Sequence, residues 1–122
     1  MNLKEQDLTK QIIGGCFEVS NELGCGFLEG VYERALLVAL RDRGLSADSQ
    51  VPLEVRFRDE TVGQFYADLV VEEAVIVELK AVSALAPEHE AQVPNYLKAS
   101  GISVALLVNF GKPRLEYKRF VC

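Results

Sequence analysis

Apolar residues recur at helical spacing over residues 8–23, where Ile12, Ile13, Cys16, Phe17 and Leu23 share one broad stripe. Gly24-Cys25-Gly26 ends this segment, because glycine enters the left-handed cap conformation without a steric penalty. A second helical stripe follows over about 28–43, built from Leu28, Val31, Tyr32, Ala35, Leu36 and Leu40, and Gly44 closes it. The period then changes to two. Val51, Leu53, Val55 and Phe57 alternate with Glu54, Arg56 and Arg58, the signature of a half-buried strand with Pro52 near its start. Asp59-Glu60 turns the chain into a strand over 61–71, and Glu72-Glu73-Ala74 turns it again into a strand over 75–81. Pro87 suits the first position of a helix that runs to about Ser100 and stops at Gly101. Val104-Ala-Leu-Leu-Val108 is apolar on both faces, as in a strand inside a sheet, and 113–121 reads as a more polar edge strand.

The order is α-α-β-β-β-α-β-β, an α/β domain with a mixed central sheet flanked by helices. The connection from the third strand through a helix to the fourth is a βαβ crossover, which makes those two strands parallel. The 122 residues form a single domain by length, with no repeat, linker or low-complexity stretch. No apolar run approaches a membrane span, and the charged start lacks a signal-peptide core, so a cytoplasmic protein is expected. Three widely spaced cysteines without a Cys-x-x-Cys pair argue against a disulfide framework or a zinc site.

Asp68, Glu78 and Lys80 change the picture. A three-residue loop over 72–74 pairs Val71 with Val75 and sets Asp68 opposite Glu78; a two-residue loop would make them diagonal neighbours instead. Opposed residues of an antiparallel pair lie about 4.5–5.5 Å apart at Cβ, where like charges destabilise the sheet. Alternation puts Glu78 and Lys80 on one face with Asp68. Two carboxylates and an ammonium suit a divalent cation held beside a cationic group, although a surface ion-pair cluster has the same composition. The net charge of −5 argues against a protein that coats nucleic acid through a basic surface, but not against a nuclease whose acidic site binds cations. Lys112, Arg114, Lys118 and Arg119 form a basic strip, either a charge-protected edge strand or a phosphate contact.

The α-β-β-β-α-β order with Asp68 on one strand and Glu78-x-Lys80 on the next resembles the PD-(D/E)xK, restriction-endonuclease-like nuclease superfamily. Gly26-Phe-Leu-Glu29-Gly-Val-Tyr32 resembles, more narrowly, the motif of the GxxExxY family, as do Gln50-Val-Pro-Leu, Ala67-Asp-Leu-Val-Val, Val77-Glu-Leu-Lys-Ala-Val82, His89-Glu-Ala-Gln92 and Asn109-Phe-Gly. The resemblance implies a Mg2+- or Mn2+-dependent nuclease acting on DNA or RNA. Asp68, Glu78 and the main-chain carbonyl of Leu79 would be metal ligands. Lys80 and Glu29 would complete the catalytic set, and Gln92, Tyr96 and Tyr32 are accessory candidates. At this size a homodimer or a partner protein is expected to extend the binding surface. A non-catalytic nucleic-acid-binding or assembly module with the same fold is the alternative.

Side-chain chemistry sets bland roles beside these. Glu33 and Glu29 also complement the positive end of a helix dipole. Tyr32 falls on the buried stripe, and His89, between Glu88 and Glu90, reads as an exposed helix residue. Relatives often carry a histidine where this chain has Ser20. Pro94 predicts that the helix bearing Gln92 and Tyr96 either kinks or starts later.

Overall fold

The structure is a computed structural model that describes residues 5–122. Two helices, α1 (Gln6–Leu23) and α2 (Glu29–Asp42), precede the strands β1 (Ala47–Phe57), β2 (Glu60–Val71) and β3 (Val75–Lys80). Helix α3 (Pro87–Ser100) then leads to β4 (Val104–Asn109) and β5 (Glu116–Val121). The five strands lie in the order β1-β2-β3-β4-β5, all neighbours antiparallel except the parallel pair β3–β4. This is the restriction-endonuclease-like architecture, in the element order expected.

The sheet separates two cores. One face buries Ile12, Cys16, Tyr32, Leu36 and Leu40 of α1 and α2 against Leu69, Val71, Val75, Val77, Leu79 and the β4 residues Val104, Leu106 and Val108. The other buries Val93 and Leu97 of α3 against Leu53, Ala67, Val70, Ile76, Ala105 and Leu107. Every residue of β4 is buried, which accounts for its lack of alternation.

Several expectations about the helix stripes need correction. Leu28 is 83% exposed, and Phe17, Leu23 and Val31 are exposed as well. The buried positions of α2 are Tyr32, Leu36 and Leu40, a stripe one residue wide at spacing four. Leu28 is the extended N-cap of α2 rather than part of the helix, so it does not continue that stripe. Helix α3 begins at Pro87 and includes Pro94, so the later start does not occur. Strand β1 begins four residues before Val51, at Ala47.

One irregularity of the sheet positions the site. In β1, Ala47 packs with the α1–α2 core, whereas Val51 and Leu53 pack with the α3 core. In β2, Ala67 faces α3, whereas Leu69 and Val71 face α1 and α2. Simple alternation would put each set on one face. Both strands therefore exchange faces at Gln50 and Asp68, which the ladder sets opposite each other between the pairs Ser49–Leu69 and Val51–Ala67. Gln50 has a left-handed φ of 51°, the backbone distortion that produces the exchange.

Candidate active site

The hairpin between β2 and β3 turns at Glu72 and Glu73, both at positive φ, and the Ala74 N–H donates to the Val71 carbonyl at 3.0 Å. Val71 pairs with Val75, Val70 with Ile76 and Leu69 with Val77, so the three-residue loop is correct and Asp68 follows opposite Glu78. The backbone ladder stops at Leu69–Val77. Beyond it carboxylates replace carbonyls: the Leu79 N–H donates to Asp68 Oδ2 at 2.8 Å, and the Asp68 N–H donates to Glu78 Oε1 at 3.3 Å. The two strands fork here, and the two acids satisfy backbone donors that the fork would otherwise strand.

Glu78 is only 5% exposed, whereas Asp68 and Lys80 are half-buried. Burial first, and then the Asp68 charge and side-chain hydrogen bond, push the Glu78 carboxyl up to about 9, against opposing pulls from the Asp68 backbone N–H and from Lys80. Without a cation the pair therefore carries a proton at neutral pH. Lys80 makes no ion pair within 4 Å with a described residue, so its ammonium is not consumed by a tight salt bridge.

Glu29 opens α2 and reaches the same place. Burial raises its carboxyl, Lys80 opposes the rise, and Asp68 and Glu33 add to it. A cavity of about 120 Å³ is lined by Glu29, Gly30, Glu33, Gln50, Asp68 and Leu79. Gln50 and Glu33 are the members that sequence reasoning missed as site residues. The Gln50 amide donates to Glu33 Oε1 at 2.7 Å and to Asp68 Oδ1 at 3.3 Å, which ties α2 to the β2 acid. Gln50 carried only a motif signal, and its left-handed backbone has no signature in a glutamine.

The accessory candidates divide. Tyr96 lies on the site side of α3: burial raises its hydroxyl, and the Glu78 and Asp68 charges raise it further. Gln92 is exposed and makes no described contact with the carboxylates. Tyr32 is wholly buried, its ring stacked on Phe110 at 4.8 Å. Its hydroxyl donates to the Gly24 carbonyl at 2.7 Å and accepts from the Phe27 N–H at 3.2 Å. It is a structural clamp on the loop before α2. Within the Gly-x-x-Glu-x-x-Tyr motif, Gly26 supplies a φ of 120°, Tyr32 anchors the loop, and Glu29 is presented to the site.

Two other motifs resolve into architecture. His89 is half-buried rather than exposed, and its Nδ1 accepts the Ala86 N–H at 2.9 Å, capping α3. Asn109 is fully buried: its Oδ1 accepts from the Val82 and Gly111 N–H groups, and its Nδ2 donates to the Val82 carbonyl and to Glu116. It fixes the chain as it leaves β3 directly after Lys80. In the basic strip, Lys112 pairs with Glu116 at 3.2 Å and Lys118 with Glu90, so two of its four cations already have acidic partners.

Among the described residues, no three or more His, Cys, Asp or Glu side chains form a group able to hold a metal ion by themselves. A hard ion such as Mg2+ does not require such a cage, since it keeps several waters and takes one or two carboxylates. A buried carboxyl pair that must otherwise hold a proton fits that donor set.

A family model described as the PD-(D/E)XK nuclease superfamily matches residues 6–120 of the chain. No curated protein matches it. Among solved structures, the crystal structure of SSO0001 is similar over 96% of this chain, at 18% identity and a TM-score of 0.60, a likeness of fold. The chain spans 58% of the length of SSO0001.

Proposed function

The chain belongs to the PD-(D/E)XK nuclease superfamily, and from that premise we propose that it is a divalent-metal-dependent nuclease that hydrolyses phosphodiester bonds of DNA or RNA. The observation that carries the proposal is the fork at which Asp68 and Glu78 each accept a backbone N–H from the opposite strand and their charges couple, with Lys80 two residues along β3. Asp68, Glu78 and the Leu79 carbonyl would hold Mg2+ or Mn2+. When bound, such an ion lowers the pKa of water and neutralises phosphate oxygens.

The chain's own groups supply the rest. Lys80 offsets charge that develops on the phosphoryl oxygens and orients the attacking water. Glu29 approaches from α2 with a carboxyl raised above its ordinary value by burial, placed to accept or relay a proton. Gln50 keeps Asp68 aimed at the fork through its two amide contacts. The Gly26–Tyr32 motif supports placement in the GxxExxY family, and the small size supports a homodimer or partner protein that widens the nucleic-acid surface. No described helix is long and apolar enough to cross a membrane, and a cytoplasmic location remains part of the proposal.

The test is cleavage of labelled DNA and RNA with Mg2+ or Mn2+ by purified protein, beside Glu78→Ala and Lys80→Ala. Activity that needs the metal and disappears in both variants is expected. Activity retained by both would overturn the assignment. The second reading, a non-catalytic module, draws on the lack of a three-acid metal group among the described residues. Tight nucleic-acid binding without cleavage, indifferent to Lys80→Ala, would favour it.

A further inference from the structure

On the α3 face, between α3 and the outer half of the β1–β2 hairpin, lies an open groove of about 570 Å³. Phe65 forms part of its wall and is 36% exposed, Asn95 and Lys98 come from α3, and Glu54 and Arg56 come from β1. Phe65 meets Tyr96 edge to face, with ring centroids 5.5 Å apart, and Tyr96 lies near enough to the fork for the Glu78 and Asp68 charges to raise its hydroxyl. Phe65 and Asp68 are three residue steps apart along β2, about 10 Å, a distance covered by about three nucleotides of a stacked strand.

The lining has a specific chemistry. A partly exposed aromatic ring offers a stacking surface that accepts any base. The Asn95 amide offers both a donor and an acceptor to a base edge. Lys98 is exposed and makes no ion pair with a described residue, so it is free to meet a phosphate. The Arg56 guanidinium is held in place by the Thr61 hydroxyl and the Asp59 carbonyl, and Glu54 lies 3.7 Å away at the rim. Arg56 and Lys98 outweigh the ion-paired Glu54, so in a chain of net charge −5 the groove carries a local positive charge beside an aromatic ring.

We propose that this groove binds an unpaired nucleotide of a single strand, the base against Phe65 and the backbone along Lys98 and Arg56, and so delivers single-stranded or frayed nucleic acid to the fork. The inference rests on the nuclease reading for its purpose but not for its test. A stacked duplex keeps its bases out of reach of such a wall, so the groove selects strands whose bases are free.

Binding is measured by fluorescence anisotropy with the full chain in chelator, using labelled oligothymidine and a duplex of equal length. The single strand is expected to bind more tightly. Phe65→Leu should weaken it roughly 5- to 150-fold, the range for loss of one stacked base, whereas Phe65→Trp should retain it. Lys98→Ala should make the salt dependence shallower by about 0.7 in the log–log slope. Equal affinity for the duplex, or Phe65→Leu binding like the wild type, would overturn the inference whatever the cleavage assay shows. Selective binding that follows these variants, with no cleavage under any metal, would uphold the inference and sink the nuclease reading alone.

Discussion

Replacing Glu78 with Gln removes the ionisable proton from the most perturbed carboxyl at the fork while keeping its shape. In the metal-free folded protein Glu78 holds its proton up to about pH 9, against 4.5 when free. A group whose folded pKa is raised binds more protons folded than unfolded throughout that window. Stability is therefore greatest below about 4.5 and falls as pH rises towards 9. The slope is at most about 1.4 kcal/mol per pH unit, and across the window the loss approaches about 6 kcal/mol, a large share of a typical 5–15 kcal/mol domain stability. At roughly 4 °C per kcal/mol for a chain of this size, wild-type protein in chelator should lose up to about 5 °C of melting temperature per pH unit between 5 and 9. Glu29, whose carboxyl is also raised, adds a slope of the same sign in both proteins, so the difference between them isolates Glu78. Glu78→Gln should melt along a flatter curve and exceed the wild type by up to about 5 kcal/mol at pH 8. Melts by circular dichroism from pH 5 to 9 give the comparison. Parallel curves for the two proteins would refute the reasoning that burial and Asp68 force a proton onto the pair.

Further outcomes follow from the same geometry. Millimolar Mg2+ should raise the wild-type melting temperature at pH 8, by about 2.7 kcal/mol at a hundredfold excess over Kd, and should leave Glu78→Gln nearly unmoved; differential scanning fluorimetry with and without chelator reads this. Gln50→Ala should lower kcat more than it raises KM, because Asp68 and Glu33 lose a shared donor, and an unchanged kcat in steady-state cleavage would show that the amide does no positioning. Tyr32→Phe should cost about 0.5–1.5 kcal/mol in urea unfolding, since the Gly24 carbonyl and Phe27 N–H of the loop before α2 lose their hydrogen bonds to the buried hydroxyl. Gly111→Ala should cost more than that by the same assay, because a Cβ there would sit 2.2 Å from the Val82 carbonyl oxygen beside the end of β3.

The site's scaffold was legible where side-chain chemistry and chain geometry speak locally. Glu72-Glu73-Ala74 between two apolar runs set the hairpin register, and that register alone brought Asp68 to Glu78. The apolar run of β4 after a helix gave the parallel pairing with β3. What escaped notice depends on tertiary placement. Gln50 sits in a strand whose alternation looks regular from Val51 onward, and the exchange of faces at residue 50 is a backbone event that no glutamine announces. Glu33 reads as an ordinary acid near a helix start until Gln50 reaches it across the cavity. Leu28 and Val31 continue a helical stripe by spacing, yet Leu28 is the extended N-cap of α2 and both stay exposed, so hydrophobicity predicted burial that the fold does not supply. Tyr32 and His89 show the converse: motif residues with suggestive chemistry turned out to hold loops and helix ends in place.

The central claim is that Asp68 and Glu78 together grip one divalent ion, and crystals grown in Mn2+ test it most directly by anomalous scattering. A single strong peak bonded to a carboxylate oxygen of each residue, at about the 2.1 Å typical of hard-ion coordination, is expected, and it should be lost in Glu78→Ala. Crystals that bind Mn2+ elsewhere while the two carboxylates stay hydrogen-bonded to each other would contradict it.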